Sequence, residues 1–97
     1  MRTKHYTRMV EHSLRFVVRH PPIADEASQI KFDRLAGWLN SLPEVDRNFL
    51  KVVYGKIPNI KYPSTLDGLK SYGGDIRTLY KRLDNLHRDF AKFNGWI

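Results

Sequence analysis

The side chains best placed for chemistry lie toward the C-terminal end of the chain. There Arg77, Thr78, Lys81, Arg82 and Asn85 share one helical stretch, with Lys70 a few residues ahead of them. A guanidinium fork matches O6 and N7 of guanine, and a carboxamide matches the adenine edge, whereas Lys and Thr more often hold phosphate. The set points to double-stranded DNA. Arg77 stands nearest the N-terminal end of the stretch, where base edges are usually reached. Thr78 can equally cap the helix or pack.

Signals for catalysis are sparse. His5, His12, His20 and His87 are scattered, and none lies i, i+4 from another. The chain contains no HExxH, GxxxxGK[ST] or GxSxG motif. It has no Cys, which removes thiol nucleophiles, Cys-based zinc sites and disulfides. Asp84 and Asp89 read as charge balance for Lys81, Arg88 and Lys92 rather than as an acid–base pair. No enzyme, metal or cofactor is expected. Tyr62, Tyr72 and Tyr80 sit among Lys61, Lys70 and Lys81. They read either as a stacking surface for single strands or, the favoured reading, as residues that bridge core and surface.

The charge balance agrees with a polyanionic partner. Seventeen Lys and Arg oppose ten Asp and Glu, a net +7, and the excess is segregated. Residues 1–22 carry a balance of +4, residues 23–50 of −2 and residues 51–97 of +5. Such segregation in a small basic protein suggests nucleic acid, although solubility charge gives the same total. With 97 residues and 41% hydrophobic content, the chain fits one compact domain, residues 1–97, and excludes a two-lobed enzyme. No apolar run approaches membrane-spanning length, and none follows the basic start Met1-Arg2-Thr3-Lys4-His5 as a signal peptide requires. The cytoplasm is the expected compartment.

These residues must be positioned by helices. Five are expected, without a strand: an all-α bundle. Residues 3–19 place Tyr6, Met9, Val10, Ser13, Phe16 and Val17 on one face, and Pro21-Pro22 ends the helix. Asp25 caps a second helix near 26–40, with Ile30, Leu35, Ala36 and Leu39 inward and Trp38 beside them. Ser41-Leu42-Pro43-Glu44 reads as a capping box for a third helix reaching Tyr54, with Val45, Phe49, Leu50 and Val53 inward. Ser64-Thr65-Leu66-Asp67 is a second capping box, opening a short helix to Tyr72. Gly73 is expected in a left-handed conformation at its end. Asp75 caps the last helix, whose seam is Ile76, Leu79, Leu83, Leu86, Phe90 and Phe93. Leu79 and Leu83 are expected to pack on the third and fourth helices. A chain this short has difficulty covering that seam, which leaves a homodimer contact open.

The short helix, Gly turn and longer basic helix over about 64–93 form a helix-turn-helix pattern, and an ordinary αα-hairpin shows the same signals. The preceding segment adds to it. Leu42-Pro43, Arg47, Phe49-Leu50 and Tyr54-Gly55, followed by Ser64, Asp67, Gly73, Asp75, Thr78-Leu79 and Leu83, resemble the region-four domain of bacterial sigma factors over about 39–90. The chain departs from that pattern at Gly68-Leu69, where Ile-Ala is usual, and at Gly74, where an apolar residue is common. Region-four character without the other sigma regions looks like the small phage regulators of late transcription (the ArpU and RinA type). The resemblance implies a sequence-specific DNA-binding transcription regulator of phage or prophage origin, with RNA polymerase a further candidate partner. The competing expectation is a small non-enzymatic interaction protein that docks on a polymerase, a sigma factor or another acidic protein surface.

Overall fold

Pro, Gly and capping side chains cut the chain into five helices in the computed structural model, which describes residues 5–97. In order they are α1 Thr7–Arg19, α2 Glu26–Ser41, α3 Glu44–Tyr54, α4 Thr65–Tyr72 and α5 Ile76–Phe93. Among the described residues there is no strand, only an isolated bridge between Ile57 and Ile60. The protein is all-α. Thr3 and Lys4, which periodicity assigns to the first helix, lie outside the described residues.

Most boundaries follow from local chemistry. Asp25 accepts from the Ser28 amide and starts α2. Ser64 and Asp67 exchange both bonds of a capping box at α4. Asp75 accepts from the Thr78 amide and starts α5. His20, ahead of the proline pair, takes a left-handed conformation and ends α1 by donating its amide to the Phe16 carbonyl. Two boundaries differ from the sequence reading. The Ser41-to-Glu44 capping box does not form, because α2 runs on through Ser41, whose hydroxyl turns back to the Trp38 carbonyl. Pro43 occupies the N-cap of α3 without a side-chain bond. Gly73 has the positive φ of a Gly terminator, +87°, but its ψ of 150° sends the chain outward rather than into a left-handed turn.

One apolar cluster draws on all five helices. Val10, Leu14 and Val17 enter from α1, and Leu35, Trp38 and Leu39 from α2. Phe49, Leu50, Val53 and Tyr54 enter from α3, Leu69 from α4, and Leu79, Leu83, Leu86 and Phe90 from α5. The buried face of α1 is rotated from the expected one, so Leu14 replaces Met9, which is exposed. Phe16, on Met9's flank, is half-buried against Phe32. Ile30 remains 62% exposed because the core covers only the C-terminal half of α2. Val45, at the first turn of α3, is 59% exposed for the same geometric reason. The seam of α5 is covered within the chain, apart from half-buried Ile76 and exposed Phe93. That leaves little of it for a second copy. Trp38 packs edge-on to Phe90 at 4.8 Å, and Trp96 covers Phe90 from the C-terminal segment.

α4 packs closely against the α3 backbone, and Gly68 makes this possible. A Cβ at Gly68 would stand 2.0 Å from the Val53 carbonyl oxygen and 2.8 Å from the Val53 Cα. These are backbone atoms and cannot swing aside. Gly68 thus has a clear physical role. Gly37, by contrast, lies on the exposed side of α2 with nothing within 4 Å of its added Cβ. Gly37→Ala should therefore gain about 0.5–1 kcal/mol from helix propensity alone. Gly68→Ala should lose about 1–3 kcal/mol, because overpacking against backbone outweighs the same gain. Urea unfolding of both variants checks the pair, and a stabilised Gly68→Ala would show that α4 stands away from α3.

Candidate nucleic-acid interface

The last helix has two faces with different duties. Its inner face combines the apolar seam with one polar residue, His87, which is buried. His87 Nε2 and the Tyr54 hydroxyl share a hydrogen bond of 2.5 Å. Burial, helped by the nearby Arg15 guanidinium, pushes the His87 imidazole down to about 4. Burial and then the Glu11 carboxylate push the Tyr54 phenol up. Around this pair, Thr65 donates its hydroxyl to Glu11 and accepts from Arg15 at 3.1 Å, while the Arg15 guanidinium lies 5.4 Å from the centre of the Tyr54 ring. Arg15 is thus part of the packing. Nothing in the sequence pattern assigns His87 a specific partner. Its position four residues after Leu83 and four before Ala91, both buried, is the signal that marks it as inward.

The outer face presents Arg77, Lys81, Asn85, Arg88 and Lys92, all exposed. Their spacings of four, four, three and four confine them to about a quarter of the helix circumference, and the row runs roughly 22 Å along the axis. Among the described residues none of these four cations has a carboxylate within 4.0 Å, since the ion pairs found are Arg15–Glu11 and Arg82–Asp46. Asp84 and Asp89 therefore do not neutralise the row by direct pairing. Arg88 and Lys92 join it although the sequence reading assigned them to charge balance. Lys70 is exposed on α4, which a three-residue connection of Gly73, Gly74 and Asp75 joins to α5. Both glycines have positive φ.

Two of the expected readers have other work. The Thr78 hydroxyl donates to Asp75 at 2.8 Å, so it belongs to the cap. With the Thr78 amide, that bond holds the exposed Asp75 carboxyl below the usual range. Arg82 lies off the row, toward α3. Its guanidinium sits 4.3 Å from the centre of the Phe49 ring and donates to Asp46 Oδ1 and the Val45 carbonyl, each at 3.0 Å. It also reaches the Tyr72 hydroxyl at 3.4 Å. Arg82 is a bracket between α5, the start of α3 and the end of α4.

Among the described residues no group of three or more His, Asp or Glu is placed to hold a metal ion, and no helix is long and apolar enough to cross a membrane. No family model, curated protein or solved structure matches the chain. Of the residues compared above with region four, Arg47, Phe49-Leu50, Thr78-Leu79 and Leu83 lie within α3 and α5, and the others fall at or near helix ends. Leu42-Pro43 joins α2 to α3, Tyr54-Gly55 ends α3, Ser64 caps α4, and Gly73 and Asp75 frame the turn before α5.

The depressed His87 value fixes a pH dependence. Below the ordinary value of 6.5 the unfolded chain takes up a proton that the folded chain refuses until about 4. Stability is therefore intact above pH 6.5 and falls as pH drops from 6.5 toward 4, by up to roughly 3 kcal/mol from this residue. His87→Gln should remove most of that slope. Urea unfolding between pH 7.5 and 4.5 makes the comparison, and equal slopes in parent and variant would place the imidazole in water.

Proposed function

We propose that this chain is a DNA-binding transcription regulator that lays the outer face of α5 in the major groove. The observation that carries the reading is the unpaired row of Arg77, Lys81, Arg88 and Lys92 with Asn85 among them, on a helix whose opposite face is locked into the core. A major groove about 12 Å wide admits one α-helix. A row of cations without carboxylate partners has little internal attraction to surrender on meeting phosphates. The short connection to α4 and its paired glycines suit a helix-turn-helix. Arg77, in the first turn, and Asn85 are the base readers in this scheme. Lys81, Arg88, Lys92 and Lys70 hold backbone. Thr78 and Arg82 position the helix rather than read.

The resemblance of residues 39–90 to region four supports a role in transcription, and its likeness to small phage activators supports RNA polymerase as a second partner. Neither a homodimer nor a cytoplasmic setting is needed for the chemistry proposed.

Binding titrations on specific and random duplexes at several salt concentrations test the assignment. Arg77→Ala should lose roughly 1–3 kcal/mol of discrimination at one base pair. Lys81→Ala should weaken both duplexes alike and reduce the salt slope by about one unit. Variants that bind both duplexes as the parent does would remove α5 as the reader and leave docking on an acidic protein surface in its place.

A further inference from the structure

The loop between α3 and α4 forms a second basic feature, remote in sequence from α5. A cleft of about 410 Å³ is lined by Arg19, Lys56 and Lys61, with Ile57, Pro58 and Ile60 as apolar walls. Its shape is built in. The Ile60 amide donates to the Ile57 carbonyl at 3.2 Å, closing a turn with Pro58 in its second position and Asn59, at φ +69°, in its third. That arrangement suits a type II turn, where Pro presets the first central residue and Asn tolerates positive φ in the next. Lys56 and Lys61 are the residues immediately outside the turn, so closing it sets the two ammonium-bearing stems on either side.

Arg19 supplies the fixed charge. Its Nε donates to the Tyr54 carbonyl at 3.0 Å, which holds the guanidinium at the end of α1. Its Nη2 is buried and has no hydrogen-bond partner among the described residues. No carboxylate lies within 4.0 Å of Arg19, Lys56 or Lys61 among those residues. A half-buried guanidinium, two flanking ammonium groups and apolar walls make a site for a compact polyvalent anion. Tyr62, next in sequence to the lining residue Lys61, is 82% exposed, with the Lys61 ammonium 5.5 Å from its ring centre. An exposed aromatic face beside an anion site suits a stacked base. The cleft volume is also in the range of small-ligand sites.

We propose that this cleft binds the phosphate of a nucleotide, with Arg19 as anchor, Lys56 and Lys61 as flanking charges and Tyr62 as the platform for the base. The nucleotide is either free or part of a nucleic-acid strand, since both offer the same phosphate and ring. This site stands apart from the α5 reading.

Adenosine monophosphate, inorganic phosphate and adenosine are titrated into the full chain, followed by amide chemical shifts. Adenosine monophosphate should move the amides of residues 56–62 and bind at least tenfold more tightly than adenosine. Lys56→Ala/Lys61→Ala should weaken it tenfold or more, and Tyr62→Ala should bring it close to inorganic phosphate. Arg77→Ala/Lys81→Ala should leave it unchanged, which separates this site from α5. A duplex titration then identifies the source. Loss of duplex affinity in the Lys56/Lys61 variant, with a smaller salt slope, points to a strand phosphate; unchanged duplex affinity with lost monophosphate binding points to a free nucleotide. Amides 56–62 that stay still with millimolar monophosphate and with duplex would overturn the proposal, as would equal monophosphate affinity in parent and Lys56/Lys61 variant.

Discussion

Tyr54 is fully buried at the end of α3, and three other helices are tied to it. Its hydroxyl bonds His87 of α5, and its ring lies under Arg15 of α1. Its carbonyl takes Arg19 at the end of α1, and Arg15 in turn reaches Thr65 at the start of α4. A buried phenol has one donor to satisfy, and leaving it unpaired costs more than a typical bond returns. His87 Nε2 is its hydrogen-bond partner. Because a bond of this kind tolerates little displacement, the rotation of α5 about its axis is set at His87, and the apolar seam has to follow.

Fixing that rotation decides what the rest of α5 can do. With Leu79, Leu83, Leu86, His87 and Phe90 inward, the outer quarter is left to Arg77, Lys81, Asn85, Arg88 and Lys92. Arg82, on the flank, grips Asp46, the Val45 carbonyl and the Phe49 ring, so a second fastening resists rolling. The result is a cationic row on a rigid support, the condition under which a few side chains discriminate between base pairs. Arg19 extends the logic: the carbonyl of the same Tyr54 orients a cation into the cleft beside the 57–60 turn.

The parts of this design that depend on near neighbours in sequence were readable from it. Asp25, Ser64 with Asp67, and Asp75 cap where their spacing says, and the five helices follow. Ser41 misled because its capping signal was also compatible with closing the helix before it, and only two residues, Leu42 and Pro43, separate α2 from α3. Ile30 and Val45 misled because periodicity gives the direction of a face but not how far the core extends along it. The long-range contacts had no local signal. Tyr54 and His87 are 33 residues apart, Asp46 and Arg82 are 36, and Arg15 and Thr65 are 50. Of the candidate site, Arg77, Lys81, Asn85 and Lys70 are exposed. The capping role of Thr78 with Asp75 was open in the sequence, whereas the partner of Arg82, Asp46, was not legible. Arg88 and Lys92 were hidden by nearby acids that do not pair with them.

The central claim is that the face of α5 opposite the core meets DNA. The most direct measurement is a heteronuclear NMR titration of the labelled chain with a short duplex, following backbone amides and the Arg Nε–H groups. The account predicts that the largest perturbations fall on Arg77, Lys81, Asn85, Arg88 and Lys92, whether or not residues 56–62 also move. Arg82 Nε–H and the buried positions around Trp38 and Phe49 should change little. Saturating duplex that leaves those five residues unmoved, or moves another face in their place, would contradict it.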